Sequence, residues 1–332
     1  MLLKLVPEKT SVPFTKWRRI ALVLSAIMVV GSIAAVATLG LNLGVDFRGG
    51  LTLEAADDEP VELGAVRDAI GALGFDSFEV KEINDFAGGD PAVSDTIGLQ
   101  AADAEEAADE SAAVAAEDAQ QDAAERVEGA LRELFGEGYE TRKVEVVGPT
   151  VSGELIQRGV TAVAIAIVAM LAYIWVRFDW QLSIGAIVAL VHDVIITLGV
   201  FALTRLEFNL SIIAALLTIV GYSMNDTVVV YDRVRENLRK FKKLELPSLL
   251  DLSINDTLSR TVMTSVTTLI ALVALFAIGG EVLRGFTFAM IWGVLIGTYS
   301  SIFVASPLLL ATGVKRDWSE GADGAPATSP AA

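Results

Sequence analysis

Cysteine is absent from the 332-residue sequence, which excludes disulfide bonds, thiolate nucleophiles and cysteine-ligated metals. Histidine occurs once, as His192, and no acidic residue stands three or four positions from it, so the helical spacing of a metal site is missing. A glycine-rich phosphate loop, a nucleophile elbow and the paired Gly-x-Gly-Asp segments of an intramembrane protease are missing too. The sequence therefore predicts neither an enzyme nor a cofactor or metal site.

Long apolar runs dominate what is present. Hydrophobic residues make up 53% of the chain and the mean hydropathy is +0.55, values typical of a membrane protein. Because a helix needs about 20 apolar residues to cross a bilayer, we predict a polytopic α-helical membrane protein. Its six transmembrane helices are expected at residues 20–41, 160–176, 182–204, 210–231, 261–280 and 285–312. The first run is too long for a signal peptide and lacks a convincing cleavage site, so we interpret it as an anchor.

Acidic charge is concentrated in one segment, residues 42–158, which holds 28 Asp and Glu against 8 Lys and Arg. The rest of the chain is nearly balanced, with 17 basic and 14 acidic residues. We therefore expect one acidic, water-exposed domain attached to a nearly neutral membrane body. The charge of this domain excludes nucleic acid as its partner.

Basic residues near the ends of the predicted spans indicate the orientation of the chain. They cluster in the N-terminal tail (1–19), in the loop at 232–259 and in the C-terminal tail (313–332), whereas the short opposite loops carry only Arg205 and Arg284. By the positive-inside rule both termini are cytosolic and the acidic domain is extracytoplasmic. The basic loop also suits contact with anionic membrane lipids.

The acidic segment has the pattern of an α+β domain. Strand candidates lie at 51–56, 77–83, 95–100 and 142–148, and helix candidates at 61–73 and 101–135. The order β-α-β-β-α-β is that of a ferredoxin-like sandwich. Residues 102–125 carry almost no large apolar side chain, so we expect much of this stretch to be exposed to solvent.

One carboxylate, Asp226, lies in an apolar run about two helical turns inside the cytosolic end of the fourth span. An ionised Asp at the centre of a span costs about 2.5–3.5 kcal/mol, so a pairing or transport role is the default expectation. The alternative is a protonated Asp that joins two helices. Three neighbours supply hydrogen-bonding groups: Ser223, Asn225 and Thr227.

Arg260 is the cation expected to reach this acid, because it opens the fifth span at a similar depth. Thr264 and Thr268 follow it one and two turns along the same helix, where they could hold a water chain. The alternatives are an arginine that only extends to the membrane interface and threonines that only pack between helices.

A second buried acid, Asp193, lies near the middle of the third span beside His192. Successive residues point about 100° apart on a helix, so we do not expect these two side chains to pair with each other. His192 is either a proton relay or a polar group that is satisfied between helices.

Small residues in the sixth span predict close helix packing. Gly293 and Gly297 stand four positions apart in "GVLIG", the spacing of a small-xxx-small contact. Six spans with interior acids further suggest half of a larger bundle, whose other half is another chain.

Five motifs together resemble the SecF family of protein-translocase subunits. They are "GLNLGVDFRGG", "VGPTVSGEL", "GYSMNDTVVVYDRVREN", "SRTVMTSVTTL" and "GTYSSIFVASPLLL". The resemblance covers about residues 41–310, in the order and spacing of these motifs, with the acidic stretch at 102–125 as an elaboration. One departure is Ser152-Gly153, where the family is expected to have Gly one residue earlier.

The resemblance implies kinship with the resistance-nodulation-division exporters and a six-span partner, SecD. It implies that Asp226 and Arg260 couple proton movement to protein export, with Asp193 as a weaker candidate. The implied further partners are the SecYEG channel, a translocating preprotein and a YajC-like accessory subunit, and the implied location is the bacterial inner membrane.

Three glycines after the first span are hinge candidates, because glycine permits unusual backbone torsions: Gly44, Gly49 and Gly50. Movement in the membrane would reach the outer domain through them, with a plain turn as the alternative. Two other functions stay open from the sequence, namely a half-size exporter of small molecules or lipids and a structural scaffold of the channel. The coupling ion, proton or sodium, also stays open.

Overall fold

The computed structural model describes residues 10–48, 50–56, 62–74, 78–83, 96–101, 110–136, 140–147 and 149–314. Its helices are α1 (Arg18–Leu39), α2 (Val45–Arg48), α3 (Leu63–Gly71), α4 (Glu110–Phe135), α5 (Pro149–Arg177), α6 (Trp180–Thr204), α7 (Leu210–Lys240), α8 (Leu246–Ile278), α9 (Gly280–Ser300) and α10 (Ser306–Thr312). Its strands are β1 (Asn42–Leu43), β2 (Gly50–Ala56), β3 (Phe78–Ile83), β4 (Thr96–Ala101), β5 (Glu140–Val147) and β6 (Glu207–Phe208). A short 3₁₀ helix at Phe14–Trp17 precedes α1, and a π-helical turn at Ser301–Ala305 joins α9 to α10.

Six helices of the described chain are long and apolar enough to cross a membrane, which supports a polytopic helical membrane protein. They are α1, α5, α6, α7, α8 and the α9–α10 pair. The stretch at 232–259, expected to be a basic loop, is mostly helical, since α7 continues to Lys240 and α8 already begins at Leu246. Apolar side chains at helical spacing explain this, because Val234, Leu238 and Leu250 are buried among the helix ends.

The helices differ in how deeply they are buried. Within the most apolar window of each, 56% of α6, 50% of α7 and 61% of the sixth span is buried, against 11% of α5 and 11% of α8. The first three are therefore the centre of the membrane body. The outer faces of the remaining spans, α1, α5 and α8, are free to contact lipid or another chain.

The predicted close contact of the sixth span is present, between α9 and α7. A side chain at Gly293 would overlap Ile219, and a Cβ at Gly297 would lie 3.0 Å from the Cβ of Ser223. The two glycines let the helix backbones approach, which places the end of α9 and the following π-helical turn beside the polar part of α7.

The acidic segment forms an antiparallel sheet of strand order β3-β4-β2-β5 with α3 and α4 packed against it. Residues Leu51, Leu53 and Ala55 of β2 are buried at the alternating spacing of a strand with one covered face. They pack on Val66 of α3 and Val127 of α4, among others. The four predicted strands and two predicted helices agree with these elements in order, while residues 102–109 lie outside the described part.

Candidate functional site

Asp226 is buried at the centre of the bundle, where only 5% of the residue is exposed. Its Oδ1 accepts a hydrogen bond from Thr261 Oγ1 of α8 at 3.0 Å. Its Oδ2 accepts a longer one from Ser301 Oγ of the π-helical turn at 3.4 Å. The acid predicted from the sequence thus joins three spans through hydroxyl groups.

Asp193 is also buried, on α6, with 1% of the residue exposed. Its Oδ2 accepts hydrogen bonds from Ser223 Oγ of α7 at 2.5 Å and from Ser300 Oγ of α9 at 2.7 Å. Its Oδ1 lies 2.8 Å from Nδ1 of His192, a distance at which the ring N–H donates to the carboxylate.

The expectation that His192 and Asp193 do not pair is therefore wrong. The angle of about 100° between successive residues describes where their Cβ atoms leave the helix. Rotation about the side-chain torsions then brings a ring nitrogen and a carboxylate oxygen together over the backbone. The pair is almost fully enclosed, with the His192 ring also stacked on Tyr299 at a centroid distance of 6.2 Å.

The two acids belong to one polar cluster, because their partners are neighbours in the chain. Ser300 contacts Asp193 and the next residue, Ser301, contacts Asp226, where α9 passes into the π-helical turn. Such turns displace the helix register and often occur at functional sites. Within the described residues, no group of three or more acidic or histidine side chains could hold a metal.

Further hydroxyl groups extend this cluster along α8. Ser265 Oγ lies 2.8 Å from Thr298 Oγ1 of α9, and Tyr222 Oη donates to Ser265 at 3.3 Å. Thr227 donates to the carbonyl of Ser223 within α7. Five hydroxyl residues of the cluster were not predicted, although the run "TYSS" inside an apolar span was a usable signal: Thr261, Ser265, Thr298, Ser300 and Ser301.

Arg260 lies on the exposed side of α8, and in this structure Asp226 is hydrogen-bonded by hydroxyls instead. Thr264 is exposed as well and donates to the carbonyls of Arg260 and Thr261, while Thr268 is half-buried. The helix is turned so that Thr261, one residue after the arginine, faces α7. Arg260 is near enough to interact electrostatically with Asp226, and the predicted pairing of the two side chains stays a prediction.

Asn225 is also on an exposed face, that of α7, unlike its buried neighbours Ser223 and Thr227. Of the three hinge candidates, Gly44 is buried and Gly50 adopts a positive φ of 122° at the start of β2. Gly49 lies outside the described residues.

Comparison with known proteins shows what the chain is related to. The profile of the family described as "Protein export membrane protein SecD/SecF, C-terminal" matches residues 126–315, and that of the "SecD/SecF GG Motif" matches residues 34–56. The protein translocase subunit SecF of Rhodobacter capsulatus is 43% identical over 315 residues, which cover 95% of this chain and 93% of that one. The chain belongs to the SecF family of protein translocase subunits.

Other members of the SecF family agree with this relation. SecF of Vibrio alginolyticus is 40% identical, and the match covers 93% of this chain and 92% of that one. SecDF of Brucella abortus is 41% identical, and the match covers 97% of this chain and 40% of that one. The crystal structure of SecDF from Thermus thermophilus superposes with a TM-score of 0.76 at 32% identity, covering 92% of this chain and 39% of that one. The chain thus spans about two fifths of the SecDF proteins that it matches.

Proposed function

We propose that this SecF-family chain couples ion movement through the membrane, with the proton as the coupling ion, to late steps of preprotein translocation. The observation that carries the proposal is Asp226, a buried carboxyl group whose hydrogen-bond partners are the hydroxyls of Thr261 and Ser301. A hydroxyl donates to an ionised carboxylate and accepts from a protonated one. The hydroxyl partners of Asp226 therefore suit both its protonated and its ionised state.

Asp193 is better suited to a fixed role. Three donors converge on its two oxygens: Ser223, Ser300 and His192. Donors from its own helix and from α7 and α9 thus hold this side chain in one position. We assign Asp226 to the coupling step and the His192–Asp193 pair to holding α6, α7 and α9 in position around it.

Arg260 completes the proposed cycle. A turn of α8 by about one residue, or 100°, would exchange Thr261 for Arg260 at Asp226. An approaching guanidinium favours the ionised carboxylate and hence release of the proton. The two pairings form a bistable element, and each proton that crosses the membrane potential supplies about 2.3 kcal/mol per 100 mV.

A second subunit of the SecD type is the proposed partner. Polar residues on the exposed sides of α7 and α8, namely Asn225, Arg260 and Thr264, would face lipid in an isolated chain. Polar groups at membrane depth are costly unless they meet protein or water. Support also comes from relatives such as the Brucella abortus SecDF, of which this chain matches 40%.

The remaining assignments follow the same proposal. The strand order β3-β4-β2-β5 with two helices supports a ferredoxin-like outer domain. The distribution of basic residues supports a bacterial inner-membrane protein with both termini in the cytosol. The outer domain would act on preproteins that emerge from the SecYEG channel, with a YajC-like subunit as an accessory.

Replacement of Asp226 by Asn tests the proposal. In cells where this chain is the only copy of the subunit, we expect Asp226→Asn to lower the export rate of a secreted reporter to that of cells lacking the subunit. The membrane level of the chain should not change, because the substitution preserves shape and a hydrogen-bond acceptor. Pulse-labelling of the reporter measures the rate.

The matched control is Asp232→Asn on the same helix, whose ion pair with Arg177 is exposed and contributes little. Export should fall on addition of a protonophore and persist when potassium replaces sodium; the opposite pattern would make sodium the coupling ion. Normal export by Asp226→Asn at a normal membrane level would contradict the coupling role and favour a structural scaffold.

A further inference from the structure

The chain that leaves α1 for the outer domain lies against the loop between α6 and α7. Strands β1 and β6 pair in parallel, with Asn42 opposite Glu207 and Leu43 opposite Phe208. The pairing continues at Gly44, whose N–H donates to the carbonyl of Phe208 at 3.0 Å. The start of the outer segment is therefore held by backbone hydrogen bonds from the membrane body.

Arg205 strengthens this contact at the ends of α1 and α6. Its Nη1 donates to the carbonyls of Leu39 at 2.8 Å and Gly40 at 3.0 Å. In return, Asn42 Nδ2 donates to the carbonyl of Arg205 at 3.0 Å. These bonds satisfy carbonyls that the ends of the two helices would otherwise leave without partners.

Asp46 connects the same segment to α7, the helix that carries Asp226. Its Oδ2 accepts from the N–H of Leu210, the first residue of α7, at 2.8 Å. Asn209 caps the same terminus through the N–H of Ile212. A carboxylate here also interacts favourably with the positive end of the helix dipole. Asp46 is thus a second cap of α7, supplied from outside the helix.

Aromatic packing covers the contact. The ring of Phe47 lies 6.0 Å from that of Phe208, which lies 5.9 Å from the ring of Phe201, measured between centroids. Phe47 and Phe208 are each 7% exposed and Phe201 is 1% exposed. The segment is therefore anchored by apolar burial as well as by hydrogen bonds.

Gly44 is held in this arrangement by its backbone hydrogen bond to Phe208. A Cβ there would meet only the end of the exposed Glu207 side chain, which can move aside, so the close approach does not by itself require glycine. Positive φ values that favour glycine occur at Gly40 (66°), where the anchored stretch begins, and at Gly50 (122°), beyond it. Of these two hinge candidates, Gly50 has the torsion that favours glycine, at the first residue of β2, and Gly44 is held by its hydrogen bond to Phe208.

We propose that residues 40–47 and 205–210 form a connector latch that stays closed during export and joins the N-terminus of α7 to the outer domain. The proposal rests on the proposed function, since it makes α7 the element that carries movement at Asp226 to the outside. From Leu210 to Asp226 the helix is about 24 Å long. Asp46 is the positioning residue of the latch.

Two cysteines at Asn42 and Glu207 test whether the latch stays closed. Adjacent strands lie about 4.8 Å apart, within the range of about 4.4–6.8 Å between Cα atoms that a disulfide spans. The chain has no other cysteine, so the only internal bond that can form is the intended one. We expect the oxidised double variant to export a cysteine-free reporter at the rate of the reduced one.

Substitution of Asp46 tests the positioning role. We expect Asp46→Ala to lower the closing equilibrium constant of the latch about fivefold, the order expected for loss of one helix cap, and to slow export. Asp46→Asn, which keeps an acceptor oxygen, should restore most of the rate. The disulfide between positions 42 and 207 should also rescue Asp46→Ala, because it replaces the missing contact. The exposed Asp68→Ala in α3 is the matched control.

Loss of export on oxidation, with recovery on reduction, would show that the latch must open and would overturn the proposal. Failure of the disulfide to rescue Asp46→Ala at a normal membrane level would overturn the positioning role of Asp46. Export by Asp226→Asn, measured in parallel, reports separately on the coupling site. Normal export by that variant would contradict the proposed function, while the cysteine results would still decide whether the latch stays closed.

Discussion

Asp226 and Asp193 share one apolar interior but differ in their hydrogen-bond donors. Asp226 contacts two hydroxyls, which can reverse the direction of their hydrogen bonds. Asp193 contacts a ring nitrogen in addition to two serines, and His192 is buried with no partner other than this acid in the described hydrogen bonds. Both acids are buried, and they therefore differ mainly in their hydrogen-bond partners.

Removal of the Asp193 carboxylate should destabilise the protein more than removal of Asp226. In Asp193→Leu the Nδ1 of His192 loses its acceptor, and a buried unsatisfied donor costs about 1–3 kcal/mol. Ser223 loses its acceptor as well. In Asp226→Leu only Thr261 loses its acceptor, because Ser301 retains its bond to the carbonyl of Thr298. We expect a lower Tm for Asp193→Leu than for Asp226→Leu in detergent, measured by the fraction that stays soluble on heating. Equal Tm values would contradict the positioning role of Asp193.

At the scale of elements, the position of the sixth span brings the two acids together. Gly293 and Gly297 set its approach to α7, and the π-helical turn then presents Ser300 to one acid and Ser301 to the other. The glycine spacing predicted the contact from the sequence. The π-helical turn at Ser301–Ala305 was not predicted, because "SIFVA" has no local feature that distinguishes it from an α-helix.

A larger side chain at the contact between α7 and α9 should disturb the cluster around Asp193 and Asp226 without touching either acid. We expect Gly297→Leu to push α9 away from Ser223 and to lower the free energy of unfolding by about 1–3 kcal/mol, with a loss of export. Gly31→Leu is the matched control, since Gly31 is an exposed glycine of α1 with open space around it. Thermal stability in detergent and reporter export are the measurements. Equal effects of the two substitutions would show that the close contact does not matter.

At the scale of the whole molecule, the exposed side of α7 is where the proposed partner would pack. Gly221 is exposed with no atom near its Cβ position, and Asn225 lies one turn further along the same helix. We expect Gly221→Trp to reduce the amount of SecD that co-purifies with the chain, whereas Gly31→Trp should not. Undiminished co-purification would place the interface elsewhere on the bundle.

The orientation in the membrane can be tested without background labelling, because the chain has no cysteine. Asp122 of the outer domain and Lys243 between α7 and α8 are both exposed. In intact spheroplasts a membrane-impermeant maleimide should label Asp122→Cys and not Lys243→Cys, and both should react after lysis. Labelling of Lys243→Cys before lysis would reverse the proposed topology.

The sequence by itself determined the membrane spans, the strand alternation and the presence of a buried acid. Apolar runs of about 20 residues, the alternation of Leu51, Leu53 and Ala55, and an acid inside the fourth span are all visible locally, since each depends on a few adjacent side chains.

Only the tertiary structure decided which faces meet. Thr261 rather than Arg260 donates a hydrogen bond to Asp226. The two residues are adjacent, so a rotation of α8 by about 100° would exchange them. His192 pairs with Asp193 through torsions that helical spacing does not describe. Gly44 lies beside Glu207, more than 150 positions further along the chain, because β1 pairs with β6. Helix rotation and such long-range contacts depend on how all the helices pack together, which no short stretch of sequence specifies.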